Sequence, residues 1–340
     1  MIVMKEGARP EEIDAVVRVV ESAGVRPHVS RGEIHTVIGA IGDREHIANL
    51  ELDGFPGVDH VVPITRPYKL ASLQFRKGQL SVLDIAGRKI GGPHFMTIAG
   101  PCTVESRETM LEAARIVRDG GAQLLRGGAY KPRTSPYSFQ GLGGEGLRLL
   151  QEAKEETGLP ITTELMDVRD LEAVLEVADM IQLGARSMQN YTLLTEVGRA
   201  GRPVLLKRGL AATLEEFVMS AEYILKEGNE NVILCERGVR TFEPNYRFQL
   251  DLMAVPVLKE MTHLPVVVDP SHAAGKRTLV PSLSYAAAAA GADGIIVEIH
   301  PEPERAVCDG PQALYAEDFA DYMRNLERAA ALAGKEPVRV

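Results

Sequence analysis

Two rhythms of apolar and polar residues divide this chain. From Phe95 to His300 eight short apolar runs recur: FMTIAGPC (95–102), QLLRGG (123–128), PITTEL (160–165), MIQLGAR (180–186), PVLLKRG (203–209), VILCERG (232–238), PVVVDPSH (265–272) and GIIVEIH (294–300). Segments with apolar residues at helical spacing separate them, such as TMLEAARIVRDGG and LEEFVMSAEYILKEG. Eight strand–helix alternations predict a (β/α)8 TIM barrel over 93–334, with parallel strands inside and helices outside.

Residues 1–65 follow another order. IVMKE reads as a strand, PEEIDAVVRVVESAG as an amphipathic helix with Pro10 near its start, and VRPHVSRG and IHTVIGAIGD as strands. REHIANLELDGF reads as a helix and VDHVVPIT as a closing strand. The β-α-β-β-α-β sequence predicts a small ferredoxin-like α+β domain. Between the two domains, 66–92 divides into a linker, TRPYKLAS (65–72), and a hairpin, LSVLDIAGRKIGG (80–92), placed to plug the N-terminal end of the barrel.

At 340 residues the chain has room for both domains. The net charge of −9 opposes general affinity for nucleic acid or anionic lipid, and the absence of Trp gives no support to base stacking. No stretch reaches the roughly 20 apolar residues that span a bilayer. The first residues, MIVMKEGARPEE, lack a signal-peptide pattern, and three cysteines cannot all pair within one chain. A reducing cytoplasm is the expected setting.

In a TIM barrel the C-terminal ends of all eight strands share one mouth. The segment LLRGGAYKPRTSPYSFQGLG (124–143) brings Arg126, Lys131, Arg133 and Thr134 there, on a loop stiffened by Pro132 and Pro136. Arg186 after Ala185, Lys207 with Arg208, and Arg237 end other strands. A solvated loop, or neutralisation by Glu164 or Glu236, would account for single cations. Several converging on one mouth repel each other unless an anion completes the site, and their number leaves room for two phosphates and a carboxylate.

Cys102, His272, Glu298 and Asp309 come from the first, seventh and eighth strands and the loop after the eighth. Strands eight and one adjoin when a barrel closes, so these residues converge. Each has an ordinary reading: a small buried thiol (as for Cys235), a helix-capping His, an acid paired with an arginine. Together, thiolate, imidazole and two carboxylates make a metal set of borderline softness, open to Mn²⁺, Fe²⁺, Co²⁺ or Zn²⁺. Cys308 beside Asp309 could pair with Cys102 on oxidation and remove a ligand.

The motifs IAGPC, LLRGGAYKPRTSPYSFQG, QLGAR, LLKRG, ILCERG, VDPSH, IIVEIHPEP and the Asp of CDG together resemble the 3-deoxy-D-arabino-heptulosonate 7-phosphate synthase family. The resemblance covers about 95 to 310, and the N-terminal extension is similar to that of one subgroup. It implies condensation of phosphoenolpyruvate with erythrose 4-phosphate, the first step of the shikimate pathway, with release of phosphate. It implies that Arg186 (beside Ala185) and Arg237 bind the phosphoenolpyruvate phosphate, with Lys207 close by, and that Arg126, Lys131 and Lys207 hold its carboxylate. Arg133 and Thr134, after Pro132, would take the erythrose 4-phosphate phosphate. Cys102, His272, Glu298 and Asp309 would hold one divalent metal, with Asp309 also beside substrate. Lys131 is a candidate proton donor to the aldehyde oxygen, and Glu164 a candidate to orient water.

KPRT separates this reading from the sister enzyme making 3-deoxy-D-manno-octulosonate 8-phosphate, which carries a KANRS-like segment there. Two other readings are a Schiff-base aldolase using Lys207 and a non-catalytic metabolite sensor. The N-terminal domain holds no compact catalytic set, so a regulatory role is expected, with tyrosine or phenylalanine as effector. His28 and Ser30, two apart on one strand face, are candidate effector contacts. A homotetramer is the expected assembly.

Overall fold

The structure is a computed structural model and describes residues 1–340 except 33–35, 43–49, 51, 53, 63–66 and 338–340. The chain divides into two compact units, Met1–Gln79 and Leu80–Val340.

In the first unit, β-branched residues fall into four short strands: β1 (Ile2–Met4), β2 (Arg26–Arg31), β3 (Thr36–Ile41) and β4 (Val58–Val61). They lie in the order β2-β3-β1-β4 with every neighbouring pair antiparallel, the ferredoxin-like arrangement. Helix α1 (Pro10–Ser22) starts on its proline and turns Ile13, Val16 and Val20 into a core with Ile2, Met4, Ile38 and Val58. The helix expected over 44–55 falls largely on residues outside the described ones.

The expected linker is corrected for its described part. Tyr68 and Leu70 are fully buried, and Phe75 is buried on a 3₁₀ turn at Leu73–Arg76. A Cβ on Gly39 of β3 would lie 3.0 Å from the Phe75 ring and 3.3 Å from Leu70. The His28 ring, on β2, is 5.9 Å from that of Phe75. These large apolar side chains cover the sheet where Gly39 leaves a hollow, so the first unit runs on to Gln79.

The second unit opens with the expected hairpin, β5 (Leu83–Ile85) and β6 (Arg88–Ile90). The eight apolar runs then form β7 (His94–Gly100), β8 (Leu124–Arg126), β9 (Ile161–Glu164), β10 (Met180–Leu183), β11 (Val204–Lys207), β12 (Val232–Glu236), β13 (Val266–Val268) and β14 (Gly294–His300). All pair in parallel, and β14 returns to β7 from Gly294↔Met96 to Glu298↔Gly100, which closes the barrel. The outer helices begin with α2 (Arg107–Asp119), where the Ser106 hydroxyl accepts from the Thr109 N–H. Next come α3 (Gly144–Thr157), α4 (Leu171–Val177), α5 (Tyr191–Ala200) and α6 (Leu214–Lys226), the last opened by a Thr213/Glu216 capping box. α7 (Ala254–Met261), the short α8 (Pro270–Ala274), α9 (Val280–Ala289) and α10 (Ala316–Leu332) complete the set. In the tail after Gly334, Glu336–Pro337 pairs with the start of β7.

Leu83, Ile85 and Ile90 of the hairpin share one core with Met96, Ile98, Leu124, Met180, Leu205, Ile233, Val267 and Ile296, most of them from the first half of their strands. Cys235 is fully buried in the same core, as a small hydrophobe. The hairpin thus stoppers the N-terminal end and leaves the opposite end open.

Candidate active site

Each strand stops where its apolar run stops, and the chain turns there into the open mouth. β7 ends at Gly100, with φ +148°, where a Cβ would lie 2.1 Å from the Arg126 carbonyl oxygen. Glycine alone permits that approach of β7 to β8, two residues before Cys102. At the end of β13, Asp269 caps α8 by accepting the His272 N–H at 2.9 Å, which turns His272 inward. Glu298 points inward from β14, and Asp309 follows in the left-handed region at φ +55°.

Ligand atoms of Cys102, His272, Glu298 and Asp309 all lie within 4.8 Å of one another. Cys102 Sγ is 3.1 Å from Asp309 Oδ2, and His272 Nε2 is 3.2 Å from Glu298 Oε1. Glu298 Oε1 is buried and accepts no well-directed hydrogen bond, although Arg126 NH2 also lies 3.2 Å away. An unsatisfied carboxylate oxygen facing a thiol, an imidazole nitrogen and a second carboxylate fits a divalent cation.

The electrostatics agree. Burial pushes the Cys102 thiol well up, and it also lowers the His272 imidazole, so the ring is neutral near pH 7. Burial alone would raise Glu298, but His272, Arg126 and Lys131 hold it below the usual carboxylate range. Asp309 is likewise held low against its burial by His272 and Arg247.

A cavity of about 300 Å³ opens over this cluster. Six cations line it: Lys131, Arg133, Arg186, Lys207, Arg237 and Arg247. Pro132, Thr134, Glu164 and Ala185 line it too, along with His272 and Asp309. Arg126 sits deeper, on a small hollow beneath with Cys102, Thr162 and Glu164. Its Nε and NH1 are buried without a partner, as is NH1 of Arg237. Unpaired guanidinium nitrogens aimed at a polar cavity call for an anion. Arg208 turns away and pairs with Glu236 and Asp251, each at 2.9 Å. His28, half-buried, and Ser30, buried, lie in the first unit.

Glu164 is steadied by Gln182 Nε2 at 3.2 Å, and a Cβ on Gly184 would lie 2.1 Å from its Oε1. Lys131 Nζ is 2.7 Å from Cys102 Sγ. Burial would depress this ammonium, but Cys102, Glu298 and Glu164 overrule it and raise it. Arg133 NH1 reaches Cys308 Sγ at 2.8 Å, and Cys308 Sγ lies 3.8 Å from Cys102 Sγ, all thiols being free.

Sequence reasoning missed Asp269, Arg247 and Gln312. Asp269 had a signal: an Asp before Pro, three residues ahead of His272, is a helix cap that also faces the ring. Gln312 donates to Glu298 Oε2 at 2.8 Å and accepts from Arg247 at 2.9 Å. Nothing local marks either Arg247 or Gln312, because the barrel joins them across 65 residues.

A TIM barrel whose mouth gathers six cations beside a four-residue cluster of metal-ligand type defines the class: an enzyme, with a cavity suited to small anions. Residues 79–332 match the DAHP synthetase I family, and residues 1–66 match the DAHP synthase ferredoxin-like domain. The chain is 48% identical over 334 residues to phospho-2-dehydro-3-deoxyheptonate aldolase of Thermotoga maritima, with 98% of each chain covered. A crystal structure of the DAHP synthase from Thermotoga maritima superposes with a TM-score of 0.78 at 46% identity, covering 99% of this chain and 98% of that one. A 2-dehydro-3-deoxyphosphooctonate aldolase of Geobacter sulfurreducens is 34% identical over 269 residues, 74% of this chain and 98% of its own. The chain belongs to the DAHP synthetase I family.

Proposed function

We propose that this enzyme condenses phosphoenolpyruvate with D-erythrose 4-phosphate and water, giving 3-deoxy-D-arabino-heptulosonate 7-phosphate and phosphate. The observation that carries this reading is the joint lining of one cavity by Lys131, Pro132, Arg133 and Thr134 with Arg186, Lys207 and Arg237, directly over the four-ligand cluster. The reaction opens aromatic biosynthesis by the shikimate route.

Arg186 and Arg237 hold the phosphoenolpyruvate phosphate, and Lys207, Lys131 and the deeper Arg126 take its carboxylate. Arg133 and Thr134 hold the phosphate of the aldose. Fixing two like-charged substrates in register removes much of the entropic barrier. Carbon 3 of phosphoenolpyruvate then attacks the aldehyde carbon, and carbon 2 gains positive character. Lys131, kept an ammonium by its acidic neighbours, donates a proton toward the developing alkoxide. Glu164, steadied by Gln182, orients the water that adds to carbon 2; one of its protons restores the Lys131 ammonium, and the other passes to the phosphate as the carbon–oxygen bond breaks and the keto group forms. Cys102, His272, Glu298 and Asp309 would hold one divalent metal, which when bound supplies Lewis acidity to a carbonyl. Their mixed donor set admits Mn²⁺, Fe²⁺, Co²⁺ and Zn²⁺ alike.

The octulosonate enzyme is the second reading, favoured by its 34% identity with this barrel. KPRT and the ferredoxin-like domain argue against it. A Schiff-base route is disfavoured because Lys207 Nζ is tied up in an ion pair with Asp269 at 2.6 Å. A non-catalytic sensor would not need the complete ligand set. The ferredoxin-like unit would carry feedback control by tyrosine or phenylalanine, with His28 and Ser30 as contacts, in a cytoplasmic homotetramer. The deciding experiment is phosphate release after chelation and single-metal add-back, run with erythrose 4-phosphate and with arabinose 5-phosphate. Preference for the pentose phosphate, or full activity in chelator, would overturn the corresponding half of the proposal.

A further inference from the structure

One fully buried carboxylate joins the two halves of this site. Asp269 Oδ2 accepts from Lys207 Nζ at 2.6 Å and from His272 Nδ1 at 2.7 Å, while Oδ1 accepts the His272 backbone N–H at 2.9 Å. A carboxylate facing Nδ1 fixes the proton there, so Nε2 presents its lone pair toward Glu298 and the ligand cluster. Lys207 lines the anion cavity. A single oxygen therefore serves one cation of the anion cradle and one ligand of the metal cluster.

We propose that Asp269 is a positioning residue that couples the two sites, so that phosphoenolpyruvate and a divalent metal each tighten the binding of the other. The inference rests on the functional reading above and adds a linkage to it. The sign follows from the shared acceptor. When a substrate anion draws the Lys207 charge, Asp269 is left to the imidazole N–H alone, and Nε2 becomes a stronger donor. When a cation sits at Nε2, the polarised ring takes more of Asp269, and Lys207 is released toward the anion. Both ligands favour the same redistribution, and the linkage is reciprocal by thermodynamic necessity.

The test is titration of metal-free, full-length protein with Co²⁺, alone and with saturating phosphoenolpyruvate, and of phosphoenolpyruvate with and without Co²⁺. In the wild type each ligand should lower the Kd of the other by the same factor, about tenfold. Asp269→Asn keeps the helix cap but should weaken Co²⁺ alone by about 10- to 100-fold and bring the linkage factor to about one. Lys207→Gln leaves Asp269 to His272, so Co²⁺ alone should bind at least as tightly as in the wild type while the linkage is again lost. This second variant keeps the test open if the first fails to fold. Independent affinities in the wild type, or undiminished linkage in either variant, would overturn the coupling while leaving the functional reading intact. Failure of phosphoenolpyruvate to bind the wild type at all would overturn both.

Discussion

Lys131 Nζ lies 2.7 Å from Cys102 Sγ, joining the loop after β8 to the ligand at the end of β7. One cation does not make this sulfur a thiolate. Burial pushes the thiol up, and Cys308, Glu298 and Asp309 push the same way against Lys131. The sulfur therefore keeps its proton near neutral pH, and a metal bound as proposed would have to displace it. His272, lowered by burial, is already neutral there and releases nothing. The metal association constant should thus rise about tenfold per pH unit between about pH 7 and pH 8.5. Calorimetry in two buffers of different ionisation heat should count about one proton released per metal bound. Cys102→Ser should bind weakly and release none, and a flat pH profile in the wild type would mean that Lys131 holds a thiolate.

Arg133 stands on the rim of the cavity with Thr134, apart from Arg186 and Arg237 in sequence but on the same space. Removing a charge-assisted contact to a phosphate costs about 1.5–3 kcal/mol, or roughly 10- to 100-fold. Arg133→Ala should therefore raise the KM for erythrose 4-phosphate by that factor and barely change that for phosphoenolpyruvate. Steady-state kinetics with each substrate varied in turn checks the division. The reverse pattern would exchange the two cradles.

Gly184 has an ordinary backbone, with φ −67° and ψ 158°, so alanine fits its conformation. What it cannot accommodate is the Glu164 carboxylate, 2.1 Å from the added carbon. Gly184→Ala should displace Glu164 by about an ångström and lower kcat by up to about 100-fold. The melting temperature should change little by comparison. Unchanged kcat in a folded variant would mean that the Glu164 carboxylate has no part in turnover.

Ile85 is fully buried in the core that the hairpin shares with the barrel strands. Ile85→Ala should cost about 2–5 kcal/mol of unfolding free energy, because the closed barrel end cannot collapse around the cavity. Denaturant unfolding reads this loss. KM values should stay near wild type, since the hairpin lies at the end of the barrel opposite the mouth.

Strand ends were the most legible part of the site. Cys102 and His272 close apolar runs and Glu298 stands late in another, and a barrel sends these ends to one mouth. Depth was less legible: Arg126 also ends a run, yet it lies beneath the cavity against Glu298 rather than on the open wall. Asp269 was legible locally, as the cap ahead of His272, but its hold on Lys207 was not, because that partner lies 62 residues away. In the first unit, Tyr68, Leu70 and Phe75 looked like linker residues since the hollow they fill, over Gly39, is made by a different strand.

That packing sets where the two units can be cut. A chain begun at Lys69 would keep Leu70 and Phe75 but lose the β3 surface that covers them, and should aggregate. A chain begun at Leu80 keeps the hairpin and the whole barrel unit. It should retain the turnover of the uninhibited full-length enzyme and lose inhibition by tyrosine or phenylalanine. In the full chain, His28→Ala should raise the inhibitory concentration by about tenfold or more while leaving the uninhibited rate unchanged, as expected for loss of one hydrogen bond to a bound effector. Initial-rate assays across an effector series, on the shortened chain and the point variant together, check this. If the chain begun at Leu80 stayed fully inhibitable, the effector would bind the barrel, and the role proposed for the ferredoxin-like unit would fall.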